Sequence, residues 1–147
     1  MLKQTYWLEI VEGPNTGVRL ALEPGSYRVL GRASSGSDST IQLTREGDRH
    51  LDFERQQIVN RVVFGGNAPA PRVRGTARRR AADVDLQDDG VSRTHAMVFL
   101  DEHGNASVVD LMSTNGTQVN DAHVEDCDLN PGDVIRVGGT VLRLVAG

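Results

Sequence analysis

The stretch GVSRTHAM, residues Gly90–Met97, places a hydroxyl, a guanidinium and an imidazole within four consecutive positions, directly before an apolar run. The run continues through HAMVFLD, His95–Asp101, and ends at turn-forming residues. Short apolar runs bounded by turn residues are typical of β-strands rather than helices. The polar cluster is therefore predicted to lie at the entrance to a strand.

Outward from this stretch, most of the chain repeats the same pattern of short apolar runs separated by glycine, proline, asparagine and aspartate. The other predicted strands are Thr5–Val11, Gly17–Leu22, Ser26–Gly31, Ala82–Gln87, Ala106–Met112, Asp133–Gly138 and Thr140–Val145, with shorter pieces in TQVN and AHVED. Strands this short at such regular spacing predict an all-β fold, a two-sheet β-sandwich.

Length and composition indicate one globular domain spanning residues 1–147. The chain is 38% hydrophobic and 24% charged, which favours folding over disorder. A formal net charge of -4 argues against a generally basic nucleic-acid binder. The opening residues are interrupted by charges and no later window is long and apolar enough to span a membrane. We therefore expect a cytoplasmic protein without membrane contact.

The cysteine and histidine content offers no metal or disulfide site. Cys127 is the single cysteine, so no internal disulfide and no zinc-binding cysteine pair can form. The histidines, at positions 50, 95, 103 and 123, lack the spacing of metal ligands. We predict no metal and no cofactor.

Residues 33–81 interrupt the strand pattern and are predicted to form an insertion in the loop after the third strand. Both ends of the insertion are polar and offer little to bury. Between them, one apolar stripe predicts a short helix at 51–64, made by Leu51, Ile58, Val59, Val62 and Val63. A strand over QIVNRVVF is the alternative, because β-branched residues favour strands.

Five arginines lie near the end of the insertion, at positions 72, 74, 78, 79 and 80. They allow contact with nucleic acid or another acidic partner, although an arginine run in a polar loop is more often simply solvated. The acidic remainder of the chain adds no supporting basic face. Nucleic acid is therefore the disfavoured partner.

Ser92 and His95 also raise the possibility of a serine nucleophile with a histidine base. Positions three apart in extended chain point to opposite faces, so a direct hydrogen bond would require a turn between them. The sequence has no GxSxG motif and no evident acidic partner for the histidine. We therefore predict that the protein is not an enzyme.

Three polar loops are better suited to binding an anion. Arg32 ends the third predicted strand, GVSRTHA precedes the fifth, and STNGT, Ser113–Thr117, follows the sixth. Loops of a sandwich can gather at one end, as binding loops do. Together they supply a guanidinium, hydroxyls, a side-chain amide and backbone N–H groups, which are the donors that a phosphate dianion needs.

The ordered set GR, SRTHA, STNGT and PGD resembles that of the forkhead-associated (FHA) domain, a phosphothreonine-binding β-sandwich. The resemblance covers about Thr5–Val145 once 33–81 is set aside. It implies about eleven strands in two sheets, with a peptide lying across the loops at one apex. The family usually follows GR with a short loop, so the insertion could cover the pocket, extend the peptide contacts or project into solvent.

The resemblance also implies roles for individual residues. Arg32, Ser92 and Thr114 would bind the phosphate. Arg93 would add a contact to the peptide or the phosphate, and Asn115 would hydrogen-bond the peptide backbone.

Three further residues are expected to support the site. His95 would brace the binding loops, as its counterpart does in the family. Gly31 and Gly116 are predicted to form tight turns in which a side chain would clash.

The function that follows is phosphorylation-dependent protein–protein interaction in kinase signalling. The expected partner is a phosphothreonine-containing protein, such as a serine/threonine kinase or its substrate, bound by a monomer. The alternatives are a scaffold that binds without phosphate and a nucleic-acid or acidic-partner contact through the arginine-rich insertion.

Overall fold

The structure is a computed structural model that describes residues 5–32, 44–45, 53–64, 79–81, 83–101 and 104–146. Within these residues, eleven strands of three residues or longer and two short ones build two sheets, with one helix. The first three strands, up to the insertion, are β1 Tyr6–Glu12, β2 Arg19–Leu22 and β3 Ser26–Arg32. The segment 33–81, predicted to be an insertion, contains β4 Thr44–Arg45, α1 Phe53–Phe64 and β5 Arg79–Arg80. The remaining strands are β6 Asp83–Leu86, β7 Ala96–Leu100, β8 Ala106–Asp110, β9 Thr117–Val119, β10 Ala122–Val124, β11 Asp126–Leu129, β12 Val134–Val137 and β13 Thr140–Ala146.

The two sheets form the sandwich that the sequence predicted, which confirms the fold class. The first sheet has the strand order β10-β9-β12-β13-β1-β2. The second has the order β11-β8-β7-β3-β6-β4, and β5 also pairs with β3. In the second sheet β3 runs antiparallel to β7 and parallel to β6. The end of β3, where Arg32 stands, therefore lies beside the segment that enters β7.

The main core fills the space between the sheets. Alternate residues of β7 point inward, so that Ala96, Val98 and Leu100 are fully buried there. From the opposite sheet, Leu8 and Leu142 pack into the same core. Burial of these side chains supplies most of the driving force for folding.

Helix α1 covers the outer face of the second sheet and makes a second apolar cluster. Val59, with 1% of its surface exposed, packs with Met97 and Phe99, the outward-facing residues of β7. Val29, Val109 and Leu111 complete the cluster, and Ile58 packs against it. Strand β7 is consequently buried on both faces. The sandwich thus carries a third layer, which the sequence pattern did not predict.

The helix lies inside the segment 51–64 for which the sequence predicted one, and the alternative strand over QIVNRVVF does not form. Leu51 lies outside the described residues. So do most residues at the two polar ends of the insertion. The parts of these ends that are described are β4, which pairs with β6, and β5, which pairs with β3. Arg72, Arg74 and Arg78 also lie outside them, so their contact with an acidic partner stays a prediction. In the part of the chain that is described, no helix combines the length and the apolar character needed to cross a bilayer.

We predict that replacing Val59 with alanine lowers the free energy of unfolding by about 1–2 kcal/mol. The substitution removes two buried methyl groups beneath the helix. The higher helix propensity of alanine offsets part of this loss. Urea denaturation followed by circular dichroism measures the change. Gln57 is exposed on the same helix, and Gln57→Ala is the control, expected to stay within about 0.5 kcal/mol of the wild type. Equal midpoints for the two variants would contradict the packing of α1 on the sheet.

Candidate functional site

Three chain segments meet at one end of the sandwich and are joined by hydrogen bonds. The backbone N–H of Arg32, at the end of β3, donates to the carbonyl oxygen of Ser92 at 3.0 Å. The Ser92 Oγ accepts from the backbone N–H of Thr114 at 2.9 Å. The side-chain Nδ2 of Asn115 donates to the Gly90 carbonyl at 2.8 Å. The loops containing residues 32, 90–92 and 114–115 are therefore held in one fixed arrangement.

These segments line a cleft of about 510 Å³. All five residues predicted to contact a ligand line it, namely Arg32, Ser92, Arg93, Thr114 and Asn115. Five others share the lining: Arg55, Asp89, Gly90, Val91 and Thr94. The structure thus brings the predicted set together around a single space.

The lining of the cleft is rich in hydrogen-bond donors and positive charge. Among the described residues of the lining, three are arginines and one, Asp89, is an aspartate. The Ser92 Oγ accepts a hydrogen bond from the Thr114 N–H, which orients the hydroxyl, and its proton is the group suited to an anionic ligand. Thr114 and Asn115 are exposed and within reach of a bound molecule. The arrangement is suited to an anion with several acceptor oxygens.

His95 is buried behind the cleft and connects two of its loops. Its Nδ1 lies 3.0 Å from the backbone nitrogen of Ser92, and its Nε2 lies 2.8 Å from the carbonyl oxygen of Gly116. Because the first partner can only donate and the second only accept, the ring is neutral with its proton on Nε2. Burial of the ring lowers the pKa of His95, and the hydrogen bond to Gly116 and the charges of Asp110 and Asp88 oppose this shift.

The hydrogen bonds of His95 also show whether Ser92 and His95 can act as a nucleophile with its general base. The imidazole contacts the backbone nitrogen of Ser92 rather than its hydroxyl. Both ring nitrogens are engaged with backbone groups. The two residues are therefore not arranged as a nucleophile with its general base.

Asp110 organises the STNGT loop. Its Oδ1 accepts hydrogen bonds from the hydroxyls of Ser113 at 2.5 Å and Thr117 at 2.7 Å. Its Oδ2 accepts from the Ser113 N–H at 3.1 Å. Gly116 donates its N–H to Ser113 Oγ and has a φ of +83°, a conformation that side chains disfavour. The predicted turn at Gly116 is thus present in the structure.

Gly31 does not form the tight turn predicted for it. It lies inside β3, pairs with Asp85 of β6, and is not among the residues with positive φ. The turn prediction was wrong because the strand continues through Gly31 to Arg32, where a central strand needs extended backbone.

A second carboxylate, Asp88, holds the loop before Ser92. Its Oδ1 accepts from the Gly90 N–H at 2.9 Å, and its Oδ2 accepts from the Gly139 N–H at 2.9 Å and the Thr140 hydroxyl at 2.6 Å. A Cβ at Gly138 would lie 2.7 Å from the carbonyl carbon of Gly90. The turn between β12 and β13 therefore packs directly against this loop.

The PGD motif, residues 131–133, fixes a turn outside the cleft. Asp133 accepts hydrogen bonds from the Asn130 N–H at 2.8 Å and from Asn120 Nδ2 at 3.1 Å. These contacts fix the turn between β11 and β12, and Asp133 does not line the cleft. The motif is therefore a fold determinant in this chain rather than part of the cleft.

Sequence reasoning missed several residues of the site. Asp88 and Asp110 are short acidic side chains beside turns, where hydrogen bonding from the side chain to nearby backbone groups is common, and this signal could have identified them. Arg55 has no comparable signal. Its contribution depends on how the helix is placed against the sheet.

A β-sandwich that gathers hydrogen-bond donors on loops at one end has the architecture of a binding protein. Residues 74–138 of the chain match the family model of the FHA domain. This match confirms the resemblance to the FHA domain that the sequence motifs carry. FHA domains are interaction modules.

Three known proteins illustrate the similarity. FhaA, an FHA domain-containing protein of Mycobacterium tuberculosis, is 48% identical over 61 residues, which cover 42% of this chain and only 11% of that protein. The FHA domain of the CT664 protein from Chlamydia trachomatis is 20% identical with a TM-score of 0.61, and the match covers 96% of each chain. A structure from an analysis of phosphothreonine-dependent FHA domain interactions is 22% identical with a TM-score of 0.56, covering 97% of this chain and 96% of that one.

The lowered pKa of His95 predicts how stability depends on pH. The folded state resists protonation of the ring, while the unfolded chain binds a proton near the ordinary pKa of about 6.5. The contribution of the neutral ring is therefore complete above about pH 6.5 and declines as the pH falls toward the lower folded-state pKa. Thermal or urea unfolding between pH 7.5 and 5.5 measures this slope.

The variant His95→Gln keeps a donor near Gly116 but has no titratable ring, so its stability is expected to fall less over the same pH range. The control is Arg136→Gln, which changes an exposed ion pair outside the cleft and should retain the wild-type slope. A His95→Gln slope equal to that of the wild type would show that His95 does not carry the effect.

Proposed function

We propose that this FHA domain binds phosphothreonine peptides and so mediates phosphorylation-dependent protein–protein interaction. The observation that carries the proposal is the convergence of Arg32, Ser92 and Thr114 on one cleft through direct hydrogen bonds between their loops. A phosphothreonine carries a charge of about -1.5 to -2 at neutral pH and three acceptor oxygens, which such donors match.

The proposed roles follow from the position of each group. The Arg32 guanidinium pairs with the phosphate, and the Ser92 hydroxyl and the Thr114 side chain donate to its oxygens. Arg93 is exposed at the rim of the cleft and contacts the phosphate or the peptide. Asn115 hydrogen-bonds the peptide backbone, while its contact with Gly90 keeps the amide in place.

We propose that the domain prefers phosphothreonine over phosphoserine, as the FHA family does. The extra methyl group of phosphothreonine contributes about 0.8 kcal/mol when it is buried. We assign the rest of the free-energy preference to the stiffer χ1 torsion of the β-branched phosphothreonine, which loses less conformational freedom when it binds.

We further propose that the domain binds without catalysing a reaction. Both nitrogens of His95 are engaged with backbone atoms, so this ring is not placed to accept a proton from Ser92. The chain is proposed to act as a single domain over residues 1–147, with residues 33–81 as an insertion, and as a monomer. The single Cys127 is consistent with our proposal of a cytoplasmic location.

The proposed partner is a phosphothreonine-containing protein, such as a serine/threonine kinase or a kinase substrate. The neighbouring structure from the study of phosphothreonine-dependent FHA domain interactions supports this class of partner.

Replacing Arg32 or Ser92 with alanine is expected to weaken binding of a phosphothreonine peptide by about 10- to 150-fold, since each charge-assisted hydrogen bond contributes about 1.5–3 kcal/mol. Isothermal titration calorimetry with a phosphothreonine peptide library, and with its dephosphorylated form, measures the change. The control is Arg136→Ala, which removes an equal charge from an exposed ion pair outside the cleft.

The wild type should bind only the phosphorylated peptides, and Arg136→Ala should match it. A partner protein that binds equally well with and without phosphate, and whose affinity survives both cleft substitutions, would favour the scaffold alternative instead. Binding that falls steeply with salt and vanishes on deletion of residues 72–80 would favour the nucleic-acid alternative.

A further inference from the structure

The helix of the insertion brings an additional arginine to the cleft. Arg55 lines the same space as Arg32 and Ser92, although it lies on α1, a helix that packs on the outer face of the second sheet. The motifs that identify the family do not include this position. Its placement therefore needs an explanation from the fold.

The helix period explains why Arg55 reaches the cleft. Arg55, Ile58 and Val59 are separated by three and four residues, so they lie on one face of α1. Ile58 and Val59 pack into the apolar cluster beneath the helix. The same docked face therefore directs Arg55 toward the edge of the sheet, where the loop after β8 begins.

Two hydrogen bonds hold the Arg55 guanidinium at that edge. Its Nε donates to the Leu111 carbonyl at 2.7 Å, and an Nη donates to the Met112 carbonyl at 3.0 Å. These two carbonyls belong to the segment that leads directly to Thr114 and Asn115. The guanidinium is thus fixed beside the STNGT loop rather than extended on a flexible side chain, which reduces the entropy lost when it meets a ligand.

The size and charge of the cleft indicate what Arg55 meets. Arg32, Ser92 and Thr114 already provide a set of donors for one phosphate. A space of about 510 Å³ admits neighbouring residues of a peptide as well as the phosphothreonine. Arg55 adds a permanent positive charge to this larger space, in which Asp89 is the one carboxylate among the described lining residues.

We propose that Arg55, carried by the insertion helix, is a specificity-determining residue that selects phosphothreonine peptides with a second anionic group close to the phosphothreonine. The second group is a carboxylate or another phosphate, and both offer the planar or bidentate acceptors that a guanidinium prefers. This proposal rests on the proposed function and assigns part of the ligand contact to the insertion.

The test compares peptides that differ only in charge. The full chain is titrated with peptides that contain one phosphothreonine and carry either glutamate or glutamine at each position within three residues of it. A further peptide carries a second phosphate within the same range. The proteins are the wild type, Arg55→Gln, Arg55→Lys and the remote control Arg136→Gln, which loses the same charge outside the cleft.

The wild type is expected to prefer glutamate over glutamine at one or more positions by about fivefold, the effect of one partly exposed charge-assisted contact. Arg55→Gln should reduce that preference to less than about twofold, Arg55→Lys should retain part of it, and Arg136→Gln should leave it unchanged. A stronger effect of Arg55→Gln on the doubly phosphorylated peptide than on the glutamate peptide would assign the second anion to phosphate.

A merely structural role for Arg55 gives a different result. If the guanidinium only holds Leu111 and Met112 in place, or if it contacts the phosphothreonine phosphate itself, Arg55→Gln weakens glutamate and glutamine peptides equally, and the proposal is overturned. If the wild type binds none of the phosphopeptides, the proposed function fails instead, so the two failures are distinguished.

Discussion

The cleft depends on one buried, neutral imidazole. His95 accepts a hydrogen bond from the Ser92 N–H and donates one to the Gly116 carbonyl, so a single ring sets the separation of two loops. Both partners are backbone groups, and the buried ring excludes water that would compete for them. Leaving either group unpaired would cost about 1–3 kcal/mol. The donors are therefore arranged before a ligand arrives, and less freedom is lost when it binds.

Two carboxylates stabilise the loops of a cleft that is suited to an anion. Asp110 accepts hydrogen bonds from Ser113 and Thr117, and Asp88 accepts from Gly90, Gly139 and Thr140. Each carboxylate is thus surrounded by N–H and O–H donors that it orients. Neither lines the cleft, whereas three arginines do. Among the described lining residues, Arg32, Arg55 and Arg93 outnumber Asp89, so these side chains give the cleft a net positive charge.

The sequence predicted the sandwich and most of the cleft because both depend on local signals. Short apolar runs bounded by turn residues marked the strands, and the ordered motifs placed Arg32, Ser92 and Thr114 at neighbouring loops. The third layer was missed, although β7 is a continuous apolar run, AMVFL, of the kind found in strands buried on both faces. Arg55 could not be predicted, since its position depends on how α1 docks on the sheet, which is a tertiary property. Gly31 was misassigned because glycine favours turns over strands, whereas here the pairing of β3 with β6 holds its backbone extended.

The predicted insertion, residues 33–81, begins after the strand that holds the backbone of Arg32. The backbone of Arg32 is held by the Ser92 carbonyl at the last residue of β3, before the insertion begins. A longer loop at this point adds only about 0.6 kcal/mol of closure entropy for each doubling of its length. The docked helix offsets such a cost by packing on Val29 of β3 and Val109 of β8. These strands lead directly to Arg32 and to the STNGT loop, so the helix stabilises the same two strands that carry the donors of the cleft.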